Sequence, residues 1–295
     1  MRTVWQTLTA SNVRIFRYMV GFSLVLGGVG VLLAQAASLV PESIEPQIWR
    51  ALRAGMLCAL GTALGALPVL FIRNISARMS DVLLGLGGGI MLAATVFSLL
   101  IPALDVAGEQ GYTPWGAAAM ASIGLLIGAS ALLGFGRLLP MAQGAPDQVL
   151  GGRVSLFVIA IVAHNIPEGM AVGVAAGAGL DGADSLALGI ALQDVPEGLI
   201  VALLLAGVGV SRWKALMIGV ASGLVEPVFA VLCAWLVGVS AQLLPWGLAL
   251  AAGAMLFAVA HEIIPESHRN GHATEASLAL AVGFCLMMAL DTALV

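Results

Sequence analysis

The sequence predicts an all-α polytopic membrane protein of about nine transmembrane helices, and three observations carry that prediction. Only 9% of the 295 residues are charged while 60% are hydrophobic, and mean hydropathy is +1.05; in an ordinary soluble domain about a quarter of residues are charged. Apolar runs of about 20 residues recur along the chain, each long enough to cross a hydrocarbon core of about 30 Å at about 1.5 Å per residue. Thirty-seven glycines are spread through the chain, suiting close helix packing in lipid. The bilayer is therefore the first partner. A formal net charge of −4, with 12 Lys plus Arg spread thinly, offers no basic face for nucleic acid. Cys58, Cys233 and Cys285 stand singly in separate apolar runs, a spacing that suits neither a disulfide framework nor a cysteine metal cluster, so they read as small buried hydrophobes.

Residues 1 to 17 are polar enough to lie outside the bilayer and carry Arg2, Arg14 and Arg17. Span one follows at about 18 to 39; Ala34-Gln35-Ala36 resembles a signal-peptidase site, but the leader is long and the apolar run continues past it, so the helix is expected to be retained. A linker from Pro41 to Trp49, with Glu42 and Glu45, ends it. Spans two to five are expected at about 51–71, 81–101, 115–135 and 154–179, and spans six to nine at about 184–206, 213–238, 244–265 and 275–294. Gly61-x-x-x-Gly65 in span two, and Gly85 with Gly87-Gly88-Gly89 in span three, read as packing signals. The polar segment from Gly136 to Arg153 contains no histidine.

An odd number of spans puts the termini on opposite sides. With the N-terminus inside, ten of the twelve basic residues (Arg2, Arg14, Arg17, Arg73, Arg78, Arg137, Arg153, Arg212, Lys214 and Arg269) fall inside, and only Arg50 and Arg53 outside. That asymmetry predicts a cytoplasmic N-terminus and an external C-terminus. The outer turns carry acids such as Asp105, Glu109, Asp181 and Asp184, either concentrating cations at an entrance or simply forming a solvated rim.

Chemistry concentrates in one repeated motif. His164-Asn165-Ile166-Pro167-Glu168-Gly169 in span five is echoed 29 residues later by Gln193-Asp194-Val195-Pro196-Glu197-Gly198 in span six. His164 and Glu168, at i and i+4, share a helix face, as do Gln193 and Glu197. The two helices run in opposite directions, which gives the pair inverted-repeat character. A broken or irregular helix pair meeting at mid-membrane is the expected form, with Pro167 and Pro196 kinking their helices. Span seven adds Glu226-Pro227. A charged group at the bilayer centre costs roughly 2.5 to 3.5 kcal/mol on insertion scales, so Glu168, Asp194, Glu197 and Glu226 require counter-charge. Two divalent cations would cancel the four, with His164, Asn165 and Gln193 completing coordination and Glu168 and Glu197 bridging. Mixed nitrogen and oxygen donors suit zinc, iron, manganese or cobalt better than sodium or potassium. Met91, halfway down span three, is either a thioether ligand tilting preference toward zinc or cadmium, or core.

At the inner end of span eight, His261, Glu262 and Glu266 surround Pro265, with His268 and His272 in the following turn. The group is either a weak exit site for metal or a solvated helix end; it lacks the second histidine of a zinc-protease helix. Asp105 and Asp291, toward the outer ends, are candidates to guide entry.

On the paired motifs, His-Asn-x-Pro-Glu-Gly followed by a second Pro-Glu-Gly helix, the sequence resembles the ZIP family of divalent-metal transporters, in its prokaryotic branch. The resemblance covers about residues 50 to 295. It implies an eight-helix metal-transport domain over 50–295, preceded by an N-terminal segment and extra helix over 1–49. It also implies a two-metal centre: Met91, His164, Glu168, Gln193 and Glu197 at the first position, and Asn165, Asp194 and Glu226, sharing Glu168 and Glu197, at the second. Many relatives have histidine where this chain has Gln193, which bears on selectivity, and the histidine-rich inner loop of plant and animal relatives is missing. The implied activity is movement of zinc, also cadmium, with iron and manganese as further candidates, toward the cytoplasm through the buried two-metal site by alternating access. The metal is the substrate and no organic cofactor is expected. A homodimer and a bacterial inner membrane complete the expectation. A channel-like path and an intramembrane metallohydrolase are the rival readings; the second lacks a complete His-Glu-x-x-His.

Overall fold

The computed structural model describes residues 46–72, 74–138 and 150–294, with side chains described outside 135–161. The expected first span and its arginines, Arg73, and most of the polar segment after span four lie outside the described residues. Among the described residues there is no strand.

Eleven helices follow in order: α1 Pro46–Ala66, α2 Ala77–Ala94, α3 Ile101–Glu109, α4 Pro114–Leu138, α5 Leu150–Ala178, α6 Ala183–Gly207, α7 Arg212–Gly223, α8 Val225–Val239, α9 Leu243–Ala258, α10 Ile264–His268 and α11 Ala273–Ala293. Several join end to end, so that among the described residues seven continuous helical units are long and apolar enough to cross a membrane. With α5, these units occupy the places expected of spans two to nine. The boundaries have local causes. Pro46 occupies the first turn of α1, where its missing N–H costs nothing, so the helix begins inside the expected linker. Ser76 accepts from the N–H of Met79 at 3.2 Å to cap α2, and Thr113 accepts from Gly116 at 3.1 Å ahead of α4. Gly179 and Gly209, at φ 71° and 95°, end α5 and α6 in the left-handed conformation that side chains disfavour.

Proline does not interrupt the helices where the motif suggested. α5 and α6 run uninterrupted through Pro167 and Pro196, contrary to the expected broken pair. The break falls instead in span seven, where α7 ends at Gly223 and α8 begins at Val225. Pro227 can neither donate to the carbonyl of Gly223 nor let the ring pass it, and the restart places Glu226 in the first turn of α8, where a negative charge is favoured. Two other prolines are relieved by wide π-type turns. Thr95–Leu100 precedes Pro102 and Val259–Ile263 precedes Pro265, and the N–H of Ile101 and of Ile264 reaches back five residues to Val96 and Val259.

Small residues set the helix pairs. α1 packs on α6, α5 on α8, α2 on α11 and α4 on α9. A Cβ at Gly61 or Gly65 would strike the backbone of Ala191 or Val195 in α6, and one at Gly169 or Gly173 that of Glu226 or Ala230 in α8. Gly85 and Gly89 meet the α11 backbone in the same way, as packing signals should. Gly87 and Gly88 differ, since both line a cavity described below. One apolar core includes Ile90, Met91, Val172, Ile190, Leu248 and Met287, and a smaller one gathers Val69, Val201, Leu205 and Leu216. Gln193 to Glu197 fall on α6 between the stretches belonging to each.

Candidate metal centre

The α5–α6 hairpin turns within a few residues after Ala178, so its two motifs face one another within the fold. Asn165, Glu168, Gln193 and Asp194 are buried, as is Glu226 from α8; Glu197 is half-buried. The ligand atoms of Glu168, Asp194 and Glu197 all lie within 4.8 Å of one another, and a second group, Cys58, Asp194 and Glu226, meets the same limit. Asp194 belongs to both. Tetrahedral ligands about 2.1 Å from a zinc ion stand roughly 3.4 Å apart, so either group is of a size that could hold an ion.

Hydrogen bonding leaves the site incomplete in a specific way. The Gln193 amide donates to Glu168 Oε1, and at 3.3 Å to Asp194 Oδ1. Thr62 donates to Glu226 Oε1 at 3.1 Å. The other oxygen of each acid, Glu168 Oε2, Asp194 Oδ2 and Glu226 Oε2, is buried without a hydrogen-bond partner, as is Asn165 Nδ2. A buried polar atom left unsatisfied costs about 1 to 3 kcal/mol, and more when charged. Three such oxygens on three helices are hard donors, on acids of which two, Glu168 and Asp194, are held at the other oxygen by Gln193 and the third, Glu226, by Thr62.

The remaining candidates divide. His164 is half-buried and its Nε2 pairs with Glu262, joining a predicted central ligand to a predicted exit residue. Met91 is 2% exposed and belongs to the main apolar core, its carbonyl accepting from Thr95 at 2.8 Å. At the end of the molecule beyond α9 the five candidates do not converge. His261 stacks on Phe257, Glu266 pairs with Arg269 at 2.9 Å, His268 with Ser277 at 3.1 Å, and His272 with Asp81 at 3.0 Å. Asp105 is exposed, whereas Asp291 accepts from Ser98 at 2.7 Å within the wide turn after α2. A cavity of about 470 Å³ runs from Gln193, His164 and Glu197 past Gly87 to Glu262 and Glu266, connecting the centre to that end.

Two residues joined the centre, and one the end beyond α9, without a sequence signal. Cys58 and Thr62 come from α1, whose apolar pattern marks neither. Asp81 is fully buried at the start of α2, accepting from Asn270 at 2.8 Å and pairing with His272. Its position at the edge of an apolar run made it look like a span boundary.

Fold and site together define a multi-pass membrane protein with buried acids gathered in groups of metal-ion size. The ZIP zinc-transporter family model matches residues 140–291, and the chain belongs to that family. It is 42% identical over 285 residues to the zinc transporter ZIPB of Bordetella bronchiseptica, across 94% of this chain and 92% of that protein. Over 251 residues it is 40% identical to the zinc transporter GufA of Myxococcus xanthus, covering 82% and 97%. The human zinc transporter ZIP11 matches a shorter part, 40% identical over 149 residues, 48% of this chain and 44% of that one. The chain is thus a membrane transporter of divalent metal ions.

Proposed function

We propose that this chain moves zinc, with cadmium as a second substrate and iron or manganese as weaker ones, toward the cytoplasm through a buried two-metal site by alternating access. Glu168, Gln193 and Glu197, with His164 and Met91, take the first position. Asn165, Asp194 and Glu226 take the second, with Glu168 and Glu197 bridging. The observation that carries this reading is the set of buried oxygens on Glu168, Asp194 and Glu226 without hydrogen-bond partners, standing in groups of metal-ion size. Bound zinc supplies the positive charge those carboxylates lack, which lowers the cost of holding them in a membrane. The cavity leading from Gln193 to Glu266 supports access from one side, and the clustering of basic residues supports assigning that side to the cytoplasm. The wider reading is a transport domain over 50–295 with an N-terminal helix before it, in a bacterial inner membrane as a homodimer. Asp105 and Asp291 serve the outer approach in this reading.

The test is zinc and cadmium uptake into proteoliposomes, comparing this chain with Glu168→Ala at matched incorporation. Saturable uptake that vanishes in the variant is expected. Uptake equal in both would remove the central acids from the path, and flux rising in proportion to driving force without saturation would favour a channel-like route.

A further inference from the structure

Helix α1 reaches the acid centre with more than packing residues. Gly61 and Gly65 let it lie against the α6 backbone at Ala191 and Val195, and Gly55 lies as close to Pro227 of α8. This brings two side chains, one turn apart, to the wall of the site. Thr62 donates to Glu226 Oε1, and Cys58, 0% exposed, places its Sγ within 4.8 Å of ligand oxygens on both Asp194 and Glu226. The thiol has one weak partner, the carbonyl of Ala187 at 3.6 Å. The second oxygens of Asp194 and Glu226 have none. Thr62 occupies one Glu226 oxygen and so leaves the other to face the shared space. Cys233, also buried and on α8 itself, stands in neither metal-sized group among the described residues.

We propose that Cys58 is a metal ligand at the second position, supplying a soft sulfur donor from α1 to the same ion that Asp194 and Glu226 hold. The inference rests on the two-metal reading above and deepens it. Binding breaks the S–H bond and forms a sulfur–metal bond with the same electron pair; the proton leaves to water, and nothing is oxidised or reduced. A thiolate beside carboxylates favours zinc and cadmium over manganese and iron at this position, so selectivity is set partly on a helix outside the paired motifs.

The experiment is a cadmium titration of the purified full chain, following the ultraviolet sulfur-to-cadmium charge-transfer band while bound metal is measured separately. The wild type should develop the band, and Cys58→Ser should bind cadmium without it. Cadmium affinity should then fall on the order of tenfold or more while manganese affinity changes far less. Cys233→Ser/Cys285→Ser, with Cys58 as its one remaining thiol, should keep the full band; that arm decides the matter if Cys58→Ser does not fold. A band persisting in Cys58→Ser, or cadmium bound to the wild type or the double variant without the band, overturns the assignment and leaves the acid centre standing. No cadmium bound to the wild type overturns the underlying reading as well.

Discussion

The acid centre and the end of the molecule beyond α9 are both built from histidines and carboxylates, yet their polar atoms are in opposite states. At the end, Glu266 is neutralised by Arg269, His268 meets Ser277, and Asp81 holds Asn270 and His272. At the centre, each of Glu168, Asp194 and Glu226 keeps an oxygen buried and unpartnered. Composition alone does not tell a binding site from a structural knot. A group whose hydrogen bonds close on themselves holds helices and turns together, whereas one whose hydrogen bonds stop short is arranged around something else.

The sharpest way to break that contrast is to remove one carboxylate from each side. Glu168→Ala should lower zinc transport by more than about 100-fold, beyond the 10- to 100-fold typical of residues that only orient a ligand. Glu266→Ala should cost less than about twofold, because its partner is the exposed Arg269. Comparable losses in uptake assays would erase the distinction. Acidification comes next. Protons and metal compete for the same carboxylate oxygens, so affinity falls as pH falls, and zinc binding by equilibrium dialysis should drop at least about tenfold between pH 7 and pH 4. A flat profile would count against carboxylate ligation.

Asp81→Asn probes the closed group from the other direction. It should lower unfolding free energy by about 1 to 3 kcal/mol through the hydrogen bonds it weakens, seen as a reduced Tm, while zinc affinity stays the same. A fall in affinity without loss of stability would place Asp81 among the ligands. Gln193→His should give the smallest change. Transport persists and the zinc-to-cadmium ratio moves by roughly a fewfold, since an imidazole is the stronger donor to both; competition uptake with both metals reads it directly.

Spans two to nine and the clustering of the central acids were legible because both are local signals. An apolar run declares its own length, and a carboxylate inside one is conspicuous. Contacts made between distant stretches were not. Nothing about Cys58 distinguishes it from Cys233 until α1 is laid against α6, and nothing links His164 to Glu262 until the wide turn after α9 is placed. Proline was legible as a perturbation but not in its effect. Pro167 and Pro196 are carried inside continuous helices, Pro227 sits just past a break, and Pro102 and Pro265 are met by wide turns.

The wide turn Val259–Ile263 inserts, in effect, one residue into an otherwise regular spiral. Each residue of an α-helix advances about 100° around the axis, so everything after Ile263 is rotated by that amount relative to an unbroken continuation of α9. Deleting a single residue there would swing Glu266 and Arg269 about a quarter-turn around the helix and reset which side chains line the cavity, with the acids of α5, α6 and α8 unchanged. A change of phase of that kind re-aims half a helix through the backbone alone, and it marks the turn as a place where relatives differing by one residue would diverge in the lining of this cavity.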